Sequence, residues 1–163
     1  MTSDPRLQID ISIESALWQA IPDLEARIET AILAAARLAD VALKPGAEVS
    51  VLLTHDAQIR ELNRAWRQQD KATNVLSFPA AQAGDLASAA MLGDIVLACE
   101  TLQREAGHDG KTLPDHLSHL VVHGFLHLLG FDHETDDEAQ EMENLERTVL
   151  GTLGIADPYA DKS

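Results

Sequence analysis

An α+β fold, one mixed sheet of about four strands packed by helices, is predicted by three patterns in the sequence. In some runs apolar and polar residues alternate, the period of half-buried strands. In others apolar residues recur three and four apart, the period of amphipathic helices. The runs follow the order strand, helix, strand, helix, two strands, then helices. The chain of 163 residues is read as a single domain, residues 1–163, with a C-terminal tail from 157 onward.

Leu7, Ile9, Ile11 and Ile13 alternate with polar residues and predict the first strand. Pro22 suits a first helical turn, with Asp23 and Glu25 near its positive end. Leu24, Ile28, Ala31, Ile32 and Ala35 then trace one apolar face. Lys44-Pro45-Gly46 is a turn, and Val49, Val51 and Leu53 form the second strand. His55-Asp56 opens a helix whose buried stripe is Ile59, Leu62 and Trp66. Thr73–Pro79 is a short strand closed by proline, which suits an edge or a strand end. Residues 80–90 are rich in Ala, Gly and Ser and predict a flexible loop. Gly93–Ala98 is another strand, and Glu100–Ala106 is a helix broken by Gly107-His108-Asp109-Gly110. A long helix covers Leu113–Leu129, and a last one covers Asp136–Leu150.

The net charge of −15 argues against nonspecific nucleic-acid binding and favours a cationic or metal partner. Its distribution is uneven. Asp132 to Glu146 holds eight acidic residues and no basic one, which reads as the solvated face of the last helix. Arg60, Arg64, Arg67 and Lys71 form one cationic stripe if their helix extends that far. Cys99 is the only cysteine, so no intramolecular disulfide forms, as expected in a reducing cytosol. It reads as a small buried residue. Met1–Pro5 has no basic region ahead of an apolar run, which predicts no signal peptide. No apolar stretch reaches the ~20 residues of a membrane span.

The chemistry concentrates in His123-Gly124-Phe125-Leu126-His127-Leu128-Leu129-Gly130-Phe131-Asp132-His133. His123 and His127 share one helical face, one turn apart. Gly130 can end the helix in the left-handed conformation and turn the chain so that His133 reaches the same point. Three imidazoles around an open position make the ligand set of a catalytic zinc site. The spacing matches the pattern H-E-x-x-H-x-x-G-x-x-H except that Gly124 replaces the glutamate. That carboxylate is the proton-transfer base of a zinc peptidase, so amide hydrolysis is disfavoured. Three neutral ligands leave the ion its full charge, which suits a phosphodiester. Such a substrate also needs a cation. Arg67 is the catalytic candidate, with a donor fork suited to phosphate oxygens, unless it pairs with Asp70 or another acid. Asp132 either orients an imidazole or caps the next helix. His116 and His119 lie on the face of His123, as alternative ligands, partners of the ligands, cleft-lining groups or structural hydrogen bonders.

These residues resemble the signature of the YbeY family, bacterial metal-dependent endoribonucleases of ribosomal RNA maturation. Leu62-Asn63-x-x-Trp66-Arg67, Lys71–Pro79, Leu92–Ile95, Ala139–Glu146 and Asp157-Pro158-Tyr159 occur in the family's order and spacing. Ala72 stands where proline is common in the family, and Asn74 where aspartate is frequent. The resemblance implies a zincin-like three-histidine centre, on a long helix and the following turn, with one zinc ion on His123, His127 and His133, and a functional arginine at Arg67. It implies cytoplasmic, single-strand endoribonuclease activity at the 3′ end of small-subunit ribosomal RNA, and a part in ribosome quality control. The implied partners are ribosomal RNA and ribosomal proteins or other ribosome-associated factors, with no membrane and no small-molecule cofactor. Two other readings stand beside it. One is a non-catalytic ribosome-assembly factor whose metal is structural and whose acidic surface meets basic ribosomal proteins. The other is a metal-dependent hydrolase of a different ester or amide.

Overall fold

The computed structural model describes residues 7–160, so the Met1–Pro5 segment lies outside the described residues. Four strands form one sheet: β1 (Leu7–Ile13), β2 (Ala47–Thr54), β3 (Val75–Pro79) and β4 (Met91–Ala98). Their spatial order is β1-β2-β4-β3, and the β1–β2 and β2–β4 pairs are parallel. β3 runs antiparallel to β4 on the outer edge, where its proline needs no ladder partner. The sheet is therefore mixed, as the patterning predicts.

The two faces of the sheet carry different helices. Val49, Val51, Leu53, Ile95 and Leu97 join the main core, as the period of two requires. Over them pack α1 (Leu24–Leu38) and α4 (Leu113–Leu128), and α5 (Asp136–Thr152) packs on those two helices. Leu76, Val96 and Ala98 meet Ile59 and Leu62 of α2 (Asp56–Arg67) in a smaller core on the opposite face. α3 (Cys99–Asp109) follows β4 directly and ends at Gly110, whose φ of 68° caps it.

Several expectations are corrected. Pro22 precedes α1, and Asp23 caps it in the left-handed conformation without a side-chain hydrogen bond. Trp66 is 68% exposed and not part of the buried stripe of α2. Gln68 adopts φ 56° and ends α2, so Lys71 is off the helix and the cationic stripe stops at Arg67. Within that stripe Arg60 is paired with Asp70 at 2.8 Å and Arg64 with Glu61 at 2.7 Å. The segment expected as a flexible loop contains a 3-10 helix, Ala83–Ser88, pinned by buried Leu86. A second 3-10 helix, Ala16–Ala20, is too short to show a period in the sequence; its Trp18 is fully buried and donates its indole N–H to the Thr54 carbonyl at 2.9 Å. The C-terminal tail is tied down through Asp157, which accepts from Arg147 at 3.2 Å, and through Tyr159.

Candidate metal centre

α4 is the platform. Thr112 caps its start by accepting the Asp115 N–H, with Pro114 in the first turn. At its other end Gly130 N–H reaches the His127 carbonyl at 3.0 Å, and Phe131 N–H reaches the Leu126 carbonyl at 3.1 Å. This is a Schellman turn, and it needs Gly130 at its φ of 99°. The turn delivers His133 to the face already held by His123 and His127. One nitrogen from each of the three lies within 4.8 Å of the others. The Nε2 atoms of His123 and His127 are 3.2 Å apart. Three convergent imidazole nitrogens fit one divalent ion of the zinc class, with room for a further ligand. Burial, with the charges of His123 and His133, lowers the pKa of His127, which favours the neutral form that a ligand must have.

The histidines open into a cleft of ≈ 620 Å³ that Arg67 and Ser77 also line. The Arg67 guanidinium donates to the Ser77 carbonyl and lies 5.3 Å from the Phe78 ring centre. Asp70 belongs to Arg60, and among the described residues no carboxylate pairs with Arg67. The Arg67–Asp70 ion pair does not form.

Gly124 has a structural reason of its own. A Cβ built there would lie 3.0 Å from Ile95 Cγ2, 3.1 Å from Ser77 Oγ and 3.3 Å from Val75 Cγ2. α4 lies against the sheet at this point, and any side chain here requires these three neighbours to give way.

Asp132 does not cap α5. Thr135 does, in a capping box with Glu138. Asp132 accepts the N–H of His133 at 2.8 Å and so fixes the turn. His116 hydrogen-bonds Glu105 at 2.8 Å, away from the three-nitrogen cluster. His119 also lies outside it and donates to Glu146 at 2.9 Å.

Glu146 is the residue that sequence reasoning missed. It belongs to the acidic run expected to face solvent, yet its side chain is fully buried. It accepts His123 Nδ1 at 2.7 Å and the Tyr159 hydroxyl at 2.5 Å, besides His119. Burial alone would raise this carboxyl, but hydrogen bonds from His119, His123 and Tyr159, with the His123 charge, hold it down at about 2. Its spacing was the available signal: it shares a helical face with Met142, Val149 and Leu150, all buried.

A family model described as Endoribonuclease YbeY matches residues 12–154. The chain belongs to the endoribonuclease YbeY family. A relative named Endoribonuclease YbeY from Bradyrhizobium sp. is 52% identical over 99% of this chain and 98% of its own length. Another of that name, from Azorhizobium caulinodans, is 54% identical over 94% of this chain and 97% of its own. The fold is similar to the solution structure of TM1509 from Thermotoga maritima, with a TM-score of 0.57 and 25% identity. That match covers 93% of this chain and 98% of TM1509. In this YbeY chain, the three histidines, Arg67 and Ser77 border one cleft.

Proposed function

We propose that this chain is a zinc-dependent endoribonuclease that cuts single-stranded RNA, with ribosomal RNA as its substrate class. His123, His127 and His133 hold the ion, and Arg67 holds the phosphate. The carrying observation is the three-nitrogen cluster sharing a cleft with an arginine that no carboxylate among the described residues neutralises. Zinc in that cluster supplies Lewis acidity toward a phosphoryl oxygen and toward water near neutral pH. Arg67, already positioned by the Ser77 carbonyl, presents its remaining donors to the non-bridging oxygens and offsets the charge that grows there. The crowding at Gly124 works against a glutamate at the position where the peptidase pattern carries its base, which disfavours amide substrates.

The relatives are named as endoribonucleases, which supports RNA as the substrate. The 3′ end of small-subunit ribosomal RNA, ribosome quality control and a cytoplasmic site of action belong to the same proposal. No helix among the described residues is long and apolar enough to cross a membrane. The acidic outer face of α5 fits basic ribosomal proteins as partners, and the net charge of −15 restricts RNA contact to the cleft. The whole chain acts as one domain.

The test uses highly purified protein and a labelled single-stranded RNA. Wild type should cut it, and His127→Ala and Arg67→Ala should not, with unchanged circular dichroism. Undiminished cutting by both variants overturns the proposal. If a folded His127→Ala protein restored ribosome maturation in cells, the non-catalytic assembly reading would replace it.

A further inference from the structure

We propose that Glu146 is a positioning residue for the metal centre, fixing the His123 tautomer and linking that centre to the C-terminal segment through Tyr159. The inference rests on the three-histidine reading above and adds a residue from a different helix to it. Glu146 sits on the apolar stripe of α5, between Met142 and Val149 and Leu150. An apolar side chain would bury there at little cost, whereas a carboxylate is expensive unless its lone pairs are satisfied. Here they are. Oε2 meets His123 Nδ1 at 2.7 Å, and Oε1 meets His119 Nε2 at 2.9 Å and the Tyr159 hydroxyl at 2.5 Å.

The geometry decides where the His123 proton lies. An ionised carboxylate only accepts, so Nδ1 carries the hydrogen. Nε2, which faces His127 Nε2 at 3.2 Å, is left with a bare lone pair. That is the tautomer a metal ligand needs, and the carboxylate behind it makes the imidazole a stronger donor. Tyr159 completes the shell from the segment after α5. Its ring lies 5.3 Å from the Arg147 guanidinium, and Arg147 also holds Asp157, so the segment is clamped over Glu146. Loss of the tyrosine hydroxyl therefore loosens the carboxylate, and through it His123.

The experiment measures two quantities on metal-free full-length chain: the ring-nitrogen NMR spectrum of His123, and zinc affinity by competition with a chromophoric chelator. Wild type should show His123 protonated on Nδ1. Glu146→Gln keeps the volume and should weaken zinc binding about 10–100-fold with unchanged circular dichroism. It should also shift His123 toward a mixture of tautomers. Tyr159→Phe should act in the same direction with a smaller loss. A folded Glu146→Gln protein with wild-type zinc affinity overturns the inference. If that variant does not fold, wild-type affinity in Tyr159→Phe overturns it instead. His123 protonated on Nε2 in wild type overturns it in either case. His127→Ala separates the two levels: zinc binding unchanged in that variant means the three-histidine reading itself has failed, and the inference with it.

Discussion

The Ser77 hydroxyl donates to the Gly124 carbonyl at 3.0 Å, joining the edge strand of the sheet to the helix that carries two of the three clustered histidines. The contact requires α4 to approach β3 closely, and Gly124 allows it. Restoring a glutamate at this position should therefore not create a peptidase. Gly124→Glu would force a carboxylate between Ile95, Ser77 and Val75 and should cost about 3 kcal/mol or more through overpacking and burial of an unpaired polar group. Denaturant unfolding would register this as a lower midpoint, and an unchanged midpoint would contradict the packing described.

Arg67 is exposed, so its replacement should leave stability within about 0.5 kcal/mol. Arg67→Lys keeps the charge and loses the planar fork. Losing one charged hydrogen bond that matters in the transition state is worth about 1.5–3 kcal/mol, a fall in RNA cleavage of roughly tenfold or more. Single-turnover cleavage under saturating protein would measure it. Equal rates for wild type and Arg67→Lys would mean that Arg67 acts only as a general cation.

Metal removal should destabilise the protein. A ligand present at about 100 times its dissociation constant adds about 2.7 kcal/mol to folding stability. For a chain of this size each kcal/mol moves the midpoint by about 2–4 °C. Chelation should then lower Tm by roughly 5–10 °C in wild type. The same treatment of His127→Ala should change nothing in a scanning fluorimetry trace.

Cys99 opens α3 with no exposed surface. Burial pushes its thiol up to about 11, and the nearby charges of Glu100 and Asp56 add to the shift. A thiol-reactive chromophore at pH 8 should detect no free thiol in the native chain and one after denaturation. The folded chain holds this proton more tightly than the unfolded one. The stability Cys99 contributes is therefore complete below the ordinary thiol range and lost as pH rises through about 11. Cys99→Ala should flatten that alkaline limb of the stability profile.

The metal cluster was legible because its spacing is local. Helix periodicity places His123 and His127, and a glycine turn places His133. The strands were legible because each face of the sheet is buried against something specific. Trp66 misled because periodicity reports a face of a helix and not what covers it. It follows Ile59 by two turns, but α2 ends one residue later and leaves the ring exposed. Glu146 misled for the opposite reason. Its acidic neighbours signal solvent, and only tertiary packing reveals that two histidines and a tyrosine surround it. The 3-10 helix at Ala83–Ser88 has weak local propensity and stands on one anchor, Leu86. Asp132 and Thr135 both offer a cap, and the choice between them depends on the turn geometry that follows Gly130.

The Gly130 turn has a further consequence for how the chain assembles. All three clustered histidines belong to one helix end and its reversal, so little loop-closure entropy stands between a partly folded chain and a metal-capturing one. Arg67 and Glu146 come from α2 and α5 and join only when the tertiary structure closes. A nascent or partly unfolded chain should thus chelate metal before it can hold a phosphate, so metal content will overstate the folded fraction in any preparation.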